Sequence, residues 1–186
     1  MEPAGGVQSH LHRTGEGWRW GADDRRHSSQ GASHGGQPAQ KGALPRCIGR
    51  SRGGLTSKLH VVCDGRGRPL RLHLTEGQRS DHKGAEALIN ALPPAKILLG
   101  DRAYSSRWFR QALAERGIAP CIPPHPLHKI QHGYDPILYR HRHKIENLFA
   151  RLKDWRRIHT RYDRCADIFL AAITFAAIFL FWINES

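Results

Sequence analysis

Five residues carry the chemistry this sequence offers most plainly, and four of them recur at helical spacing. Tyr139, Arg142, Glu146 and Lys153 lie in the stretch YRHRHKIENLFARLK. An α-helix turns by about 100° per residue, so offsets of three, seven and fourteen residues fall on one face. Beside that face, Ile145, Leu148, Phe149 and Leu152 form an apolar stripe able to dock the helix on a core. A carboxylate with an arginine one turn before it and a lysine two turns after can hold a divalent cation while the basic groups meet phosphates. The fifth residue is Asp101, in KILLGDRAY. Ile97, Leu98 and Leu99 read as a short buried strand that delivers Asp101 at its carboxyl end. One acid at a strand end and another on a helix suit metal-assisted phosphoryl transfer. The competing interpretation is a solvated helix laced with charges, and the strand-borne acid weighs against it.

The elements that would position these residues follow from patterning. In LTSKLHVVCD, Leu55, Leu59 and Val61 alternate with Lys58 and His60. A turn-rich DGRGRP then leads to Leu70, Leu72 and Leu74, alternating with Arg71 and His73. The pattern predicts a β-hairpin with one buried face. Asp81 is placed to cap a helix over 82–92, stopped by Pro93 and Pro94. A strand over 96–99 leads to Asp101, and Ser105 or Ser106 opens a helix to Arg116 that Gly117 closes. A strand over 118–122, a loop over 125–135, a helix over 136–157 and a last helix over 166–183 complete the order β-β-α-β-α-β-α-α. This is an α/β domain with a mixed sheet.

Composition narrows the partners. Of 186 residues, 29 are Lys or Arg against 16 Asp or Glu, a net charge of +13. Such a surplus favours a polyanion, nucleic acid before an acidic membrane. The cysteines Cys47, Cys63, Cys121 and Cys165 form no CxxC pair, so a zinc site has little support. Most of the 13 histidines read as solvated surface residues. Residues 1–20 lack the apolar core of a signal peptide. The apolar run 168–183 is shorter than the ~20 residues a spanning helix needs and reads as a core helix. Residues 1–48 are rich in Gly, Ser, Gln, His and Arg without periodicity and read as a low-complexity basic arm, disordered by composition.

Three blocks, residues 49–89, LLGDRAYSSRWFR and YRHRHKIENLFARLKDWRRIHTRYDR, resemble the bacterial insertion-sequence DDE transposases, especially the insertion-sequence-five branch with its Y-R-E-K signature. The resemblance implies an RNase H-like mixed sheet with flanking helices over residues 49–186. It also implies Mg²⁺ or Mn²⁺ as cofactor, and DNA, as element ends and target, as partner. A homo-oligomer on DNA is left open, no membrane is favoured, and the implied location is the bacterial cytoplasm, at the nucleoid. Asp101 matches the second acid and Glu146 the third, so both are the implied metal ligands and catalytic residues. Tyr139, Arg142 and Lys153 are implied to position DNA. Arg102, Arg107, Arg110, Arg151, Arg156 and Arg157 extend the basic track.

The first acid and its strand are missing from the pattern, which implies a chain truncated or frame-altered at its N-terminus and defective in strand cleavage and transfer. Asp23 and Asp24 are the only upstream aspartates, and their setting, GADDRRHSS, is not strand-like. One codon choice for residues 23–27, shifted by one base, encodes Met-Ile-Asp-Gly-Thr, the kind of motif the family places there. Asp64, at the hairpin turn, is the other candidate for a third ligand. Two alternatives remain in view, a catalytically silent DNA-binding remnant of the same fold and a membrane-associated basic protein held by its last helix.

Overall fold

The computed structural model describes residues 8–13, 18–19, 45–51 and 54–183, the first two segments as backbone. The strands are β1 (Gln8–Arg13), β2 (Trp18–Arg19), β3 (Gly49–Ser51), β4 (Gly54–Cys63), β5 (Pro69–Glu76), β6 (Ile97–Gly100) and β7 (Ala119–Cys121). The helices are α1 (Asp81–Ile89), α2 (Arg107–Glu115), α3 (Pro136–Tyr139), α4 (His143–Lys153), α5 (Arg156–His159) and α6 (Ala166–Ile178).

β4 and β5 form the expected hairpin, with Leu59 opposite Leu74 and Val61 opposite Leu72. Asp64 closes its turn. One carboxylate oxygen accepts the Arg66 and Arg68 backbone N–H groups at 2.9 Å each, and the other accepts Arg68 Nε at 2.7 Å. On its other edge β4 pairs antiparallel with β1. β1 runs parallel to β6, and β6 parallel to β7. Along the sheet the strands therefore run β5, β4, β1, β6, β7, a mixed sheet. β7 contains Pro120, which suits an edge strand because proline donates no ladder bond.

Three sequence expectations change here. The hairpin does not have one solvated face, because helices cover both sides. Leu59, Val61, Cys63 and Leu74 pack with α4 and α6 through Leu148, Leu152, Phe169 and Ile173. Val62 and Leu98 pack on the opposite face with Ala85, Leu88, Phe109 and Leu113. The place of the first strand is filled by Gln8–Arg13, which composition had assigned to the arm. Its backbone pairs with β4 on one edge and with β6 on the other. Asp81 lies in the first turn of α1, after the N-cap Ser80, and its buried carboxylate meets Lys58 Nζ at 3.3 Å.

The expected helix 136–157 is subdivided. Asp135 caps α3, accepting the Ile137 and Leu138 N–H groups at 2.8 and 3.0 Å, and Pro136 takes the first position. The chain then tightens into a 3₁₀ turn over Arg140–Arg142 before α4, and breaks at the extended Trp155 ahead of α5. Ile145, Leu148, Phe149 and Leu152 are buried as the apolar stripe required. α6 continues as a π-turn over Phe179–Ile183. The segment Ala166–Ile183 is long and apolar enough to cross a membrane by composition. One face of it, with Phe169, Ile173, Ala176 and Phe181, is seated in the core.

Candidate active site

Asp101 follows β6 at the carboxyl edge of the sheet, where parallel strands expose a crevice. Its Oδ1 accepts the Arg102 backbone N–H at 2.7 Å and so caps a 3₁₀ turn, Arg102–Tyr104. The Asp101 carbonyl accepts the Tyr104 N–H at 2.9 Å. Tyr104 is fully buried, and its hydroxyl shares a 2.8 Å hydrogen bond with His60 Nδ1. The other ring nitrogen of His60 shares a 2.9 Å bond with Thr75 Oγ1. Gly84 of α1 lies against the His60 ring, where a Cβ would collide. The turn carrying Asp101 is thus tied through Tyr104 to the middle of the hairpin. The alternation in LTSKLHVVCD places His60 with Lys58 on the outward face. It shares its face of β4 with Val62, and the helices on that side bury both.

The second half of the site is the helix face. Burial pushes the Tyr139 phenol up to about 12, with Arg142 pulling it down and Asp101 pushing it up, followed by Tyr134 and Arg102. The Arg142 guanidinium stands 5.7 Å from the Tyr139 ring centroid and donates to Glu146 Oε1, four residues on. Asp101 and Arg102 are therefore within electrostatic reach of Tyr139, and Arg142 links Tyr139 to Glu146. Lys153, half-buried, ends α4 two turns beyond Glu146.

The remaining arginines divide. Arg102, Arg107 and Arg156 are exposed. Arg157 is exposed but engaged by Asp163, at 2.9 and 3.1 Å. Arg151 donates to the Leu180 carbonyl at 2.7 Å and lies over Phe181. Arg110 does not belong in a phosphate track. It is buried, donates to the Ile122 carbonyl at 2.6 Å and to Ser105 Oγ at 3.2 Å, and its Nε has no partner. It braces the end of β7 against the segment after Asp101, and burial lowers its pKa. The sequence places it in a basic track, whereas α2 buries it alongside Phe109 and Leu113.

Among the described residues the donor set does not fit a two-metal centre. Among the described residues no group of three or more His, Cys, Asp or Glu side chains is placed to hold a metal ion. Asp101 and Glu146 are two carboxylates, and Arg142 already neutralises the second. Asp64 is committed to its turn. β1, beside β6 with Leu11 opposite Gly100, reads QSHLHR and offers no carboxylate. Asp23 and Asp24, and with them the frame-shift reading, lie outside the described residues.

The family model for the transposase DDE domain matches residues 24–181. The chain belongs to this family. Among curated proteins, a chain described as a transposase for insertion sequence element IS402 from Burkholderia cepacia is 34% identical over 149 residues, covering 74% of this chain and 67% of the relative. A second, described as a transposase for insertion sequence element IS6501 from Brucella ovis, is 31% identical over 131 residues, covering 70% of this chain and all of the relative. This DDE transposase chain is also similar in fold to a chain in a simian T-cell lymphotropic virus intasome bound to a PP2A regulatory subunit. There the TM-score is 0.49 and the identity 16%, over 74% of this chain and 46% of that one.

Proposed function

We propose that the chain is an insertion-sequence transposase that binds DNA across the Asp101–Tyr139–Glu146 edge and is defective in strand cleavage and transfer. The observation that carries this reading is the linked neighbourhood in which Asp101, from a strand end, acts on Tyr139, whose neighbour Arg142 holds Glu146. Arg142, Lys153 and Tyr139 position the DNA backbone there. Arg102, Arg107, Arg156 and Arg157 add sequence-independent phosphate contacts. In this fold Mg²⁺ or Mn²⁺ would supply charge neutralisation at the phosphodiester. Asp101 and Glu146 are the residues that would face it, and two carboxylates of which one is ion-paired hold such an ion weakly. Residues 49–186 form the body of the DDE domain, with β1 and β2 completing its sheet. A cytoplasmic, nucleoid-associated location follows from the DNA partner. The membrane alternative is less well supported, because α6 gives Phe169, Ile173 and Ala176, and the π-turn after it Phe181, to the core.

The test is duplex binding as a function of salt. Neutralising phosphates releases counterions, so affinity should fall steeply between low and high salt. Replacing Arg142 and Lys153 by alanine should lower the slope by about one unit per phosphate contact removed. An affinity indifferent to salt overturns the reading.

A further inference from the structure

α6 carries two apolar stripes, and only one of them meets the core. Ala166, Phe169, Ile173 and Ala176, spaced by three, four and three residues, are buried. Ile168, Ala171, Phe175 and Ile178 repeat that spacing two residues on, and all four are exposed. Two residues turn a helix by about 200°, so the second stripe points away from the first. A helix that is apolar all round belongs inside a protein, yet half of this one stands in water. The π-turn after α6 extends the surface with Phe179, Trp182 and Ile183. Ile178 also lines, with Leu70, Leu72, Leu170 and Trp182, a groove of about 300 Å³ against β5. Ile168, Phe175, Ile178, Phe179, Trp182 and Ile183 are each 40–67% exposed. Together they leave roughly 600 Å² of apolar surface in water, the upper end of the ~300–600 Å² of the largest patch on an ordinary monomer.

The occupant of this face has to be apolar and uncharged. Residues 165–183 contain one charged side chain, Asp167, in a chain of net charge +13. A polyanion or an acidic peptide therefore finds no cation there. A helix that lies on a lipid surface carries Lys or Arg beside its apolar face, and this stretch has neither. Residues 21–42, the longest stretch outside the described residues, contain no Val, Ile, Leu, Met, Phe, Tyr or Trp with which to cover it. The stripe does match itself. Turned antiparallel about a two-fold axis, it sets Ile168 opposite Ile178 and Ala171 opposite Phe175. The ring of each copy then seats over the small side chain of the other, which is how a three-four repeat packs two helices. We propose that this face of α6 joins a second copy of the chain as an antiparallel helix pair, and that the pair forms without DNA. Two such faces bury roughly 1,200 Å², the lower bound for a stable specific interface.

The test is sedimentation of the full chain in the absence of DNA. Wild type should sediment at twice the 21.0 kDa of one copy, with a thermal midpoint that rises with concentration. Ala171→Phe sets two rings against each other and should weaken the dimer by about tenfold or more. Phe175→Ala leaves a gap and should weaken it as well. The double variant Ala171→Phe, Phe175→Ala exchanges ring and notch and should restore the dimer. Both positions are exposed, and restoration in the double variant excludes misfolding as the cause of loss in the single ones. A monomeric wild type overturns the proposal. So does a dimer that is indifferent to Ala171→Phe, or a double variant that stays monomeric. Cosedimentation of monomeric wild type with phosphatidylglycerol vesicles assigns the stripe to lipid and overturns the pairing too. Duplex binding enters none of these readouts, so their failure leaves the DNA reading standing.

Discussion

The two halves of the site are held by different physics. The turn that carries Asp101 is fastened from below, through Tyr104, His60 and Thr75, all buried and bonded to one another. The face that carries Glu146 is fastened at the surface, by the Arg142 ion pair on a helix whose acid is half-exposed. A buried polar network is costly to leave unsatisfied, about 1–3 kcal/mol per orphaned group, whereas a surface pair contributes about 0–1 kcal/mol and weakens with salt. The first half is therefore a fixed reference. The second is looser on its acidic side, because half-exposed Glu146 is solvated without Arg142, whereas the guanidinium is held against the Tyr139 ring.

The largest effect should come from the buried half. Tyr104→Phe keeps the ring against Phe109 but leaves His60 Nδ1 without its partner. Chemical denaturation should show a loss of about 1–3 kcal/mol. A value near zero would mean that water or another group satisfies His60, and that the turn is not fastened as described.

A change at the boundary between the halves should follow pH. Tyr139 is raised in the folded protein above its ordinary value near 10, to about 12, so the folded state holds its proton more tightly than the unfolded one. Its contribution to stability is complete below pH ~10 and is lost as pH rises through about 12. Tyr139→Phe should remove that window from the alkaline unfolding profile and remove the latest-ionising component from the phenolate absorbance titration. Identical titrations for the two chains would contradict the burial assigned to Tyr139.

The smallest stability effect belongs to the surface half. Arg142→Ala should change stability by about 0.5 kcal/mol or less. It should nevertheless move the Tyr139 phenol further upward, because Arg142 contributes more than Arg102 to lowering it. A destabilisation comparable to that of Tyr104→Phe would erase the contrast between the halves.

How much of this was legible depended on whether a residue's role was local. The apolar stripe, the hairpin turn at Asp64 and the strand before Asp101 all follow from spacing, and all are present. His60 was not legible as buried, because its cover comes from α1, more than twenty residues away, and from Tyr104. Arg110 was miscounted among the surface arginines for the same reason, since its acceptors are Ser105 and the distant Ile122 carbonyl. β1 has no alternating apolar pattern, and only pairing to β4 and β6 makes it a strand. The 3₁₀ turn at Arg140–Arg142 interrupts a sequence that reads as continuous helix.

Among the described residues the acid set is incomplete, so the proposed DNA binding should come without strand cleavage. The most direct measurement is nicking of supercoiled DNA bearing the element's own ends by the purified full chain, with Mg²⁺ and then Mn²⁺, alongside Asp101→Asn. The account predicts binding without metal-dependent nicking, and no difference between the two chains. Nicking that requires metal and disappears in Asp101→Asn would contradict it, and would show that a carboxylate beyond Asp101 and Glu146 completes the site.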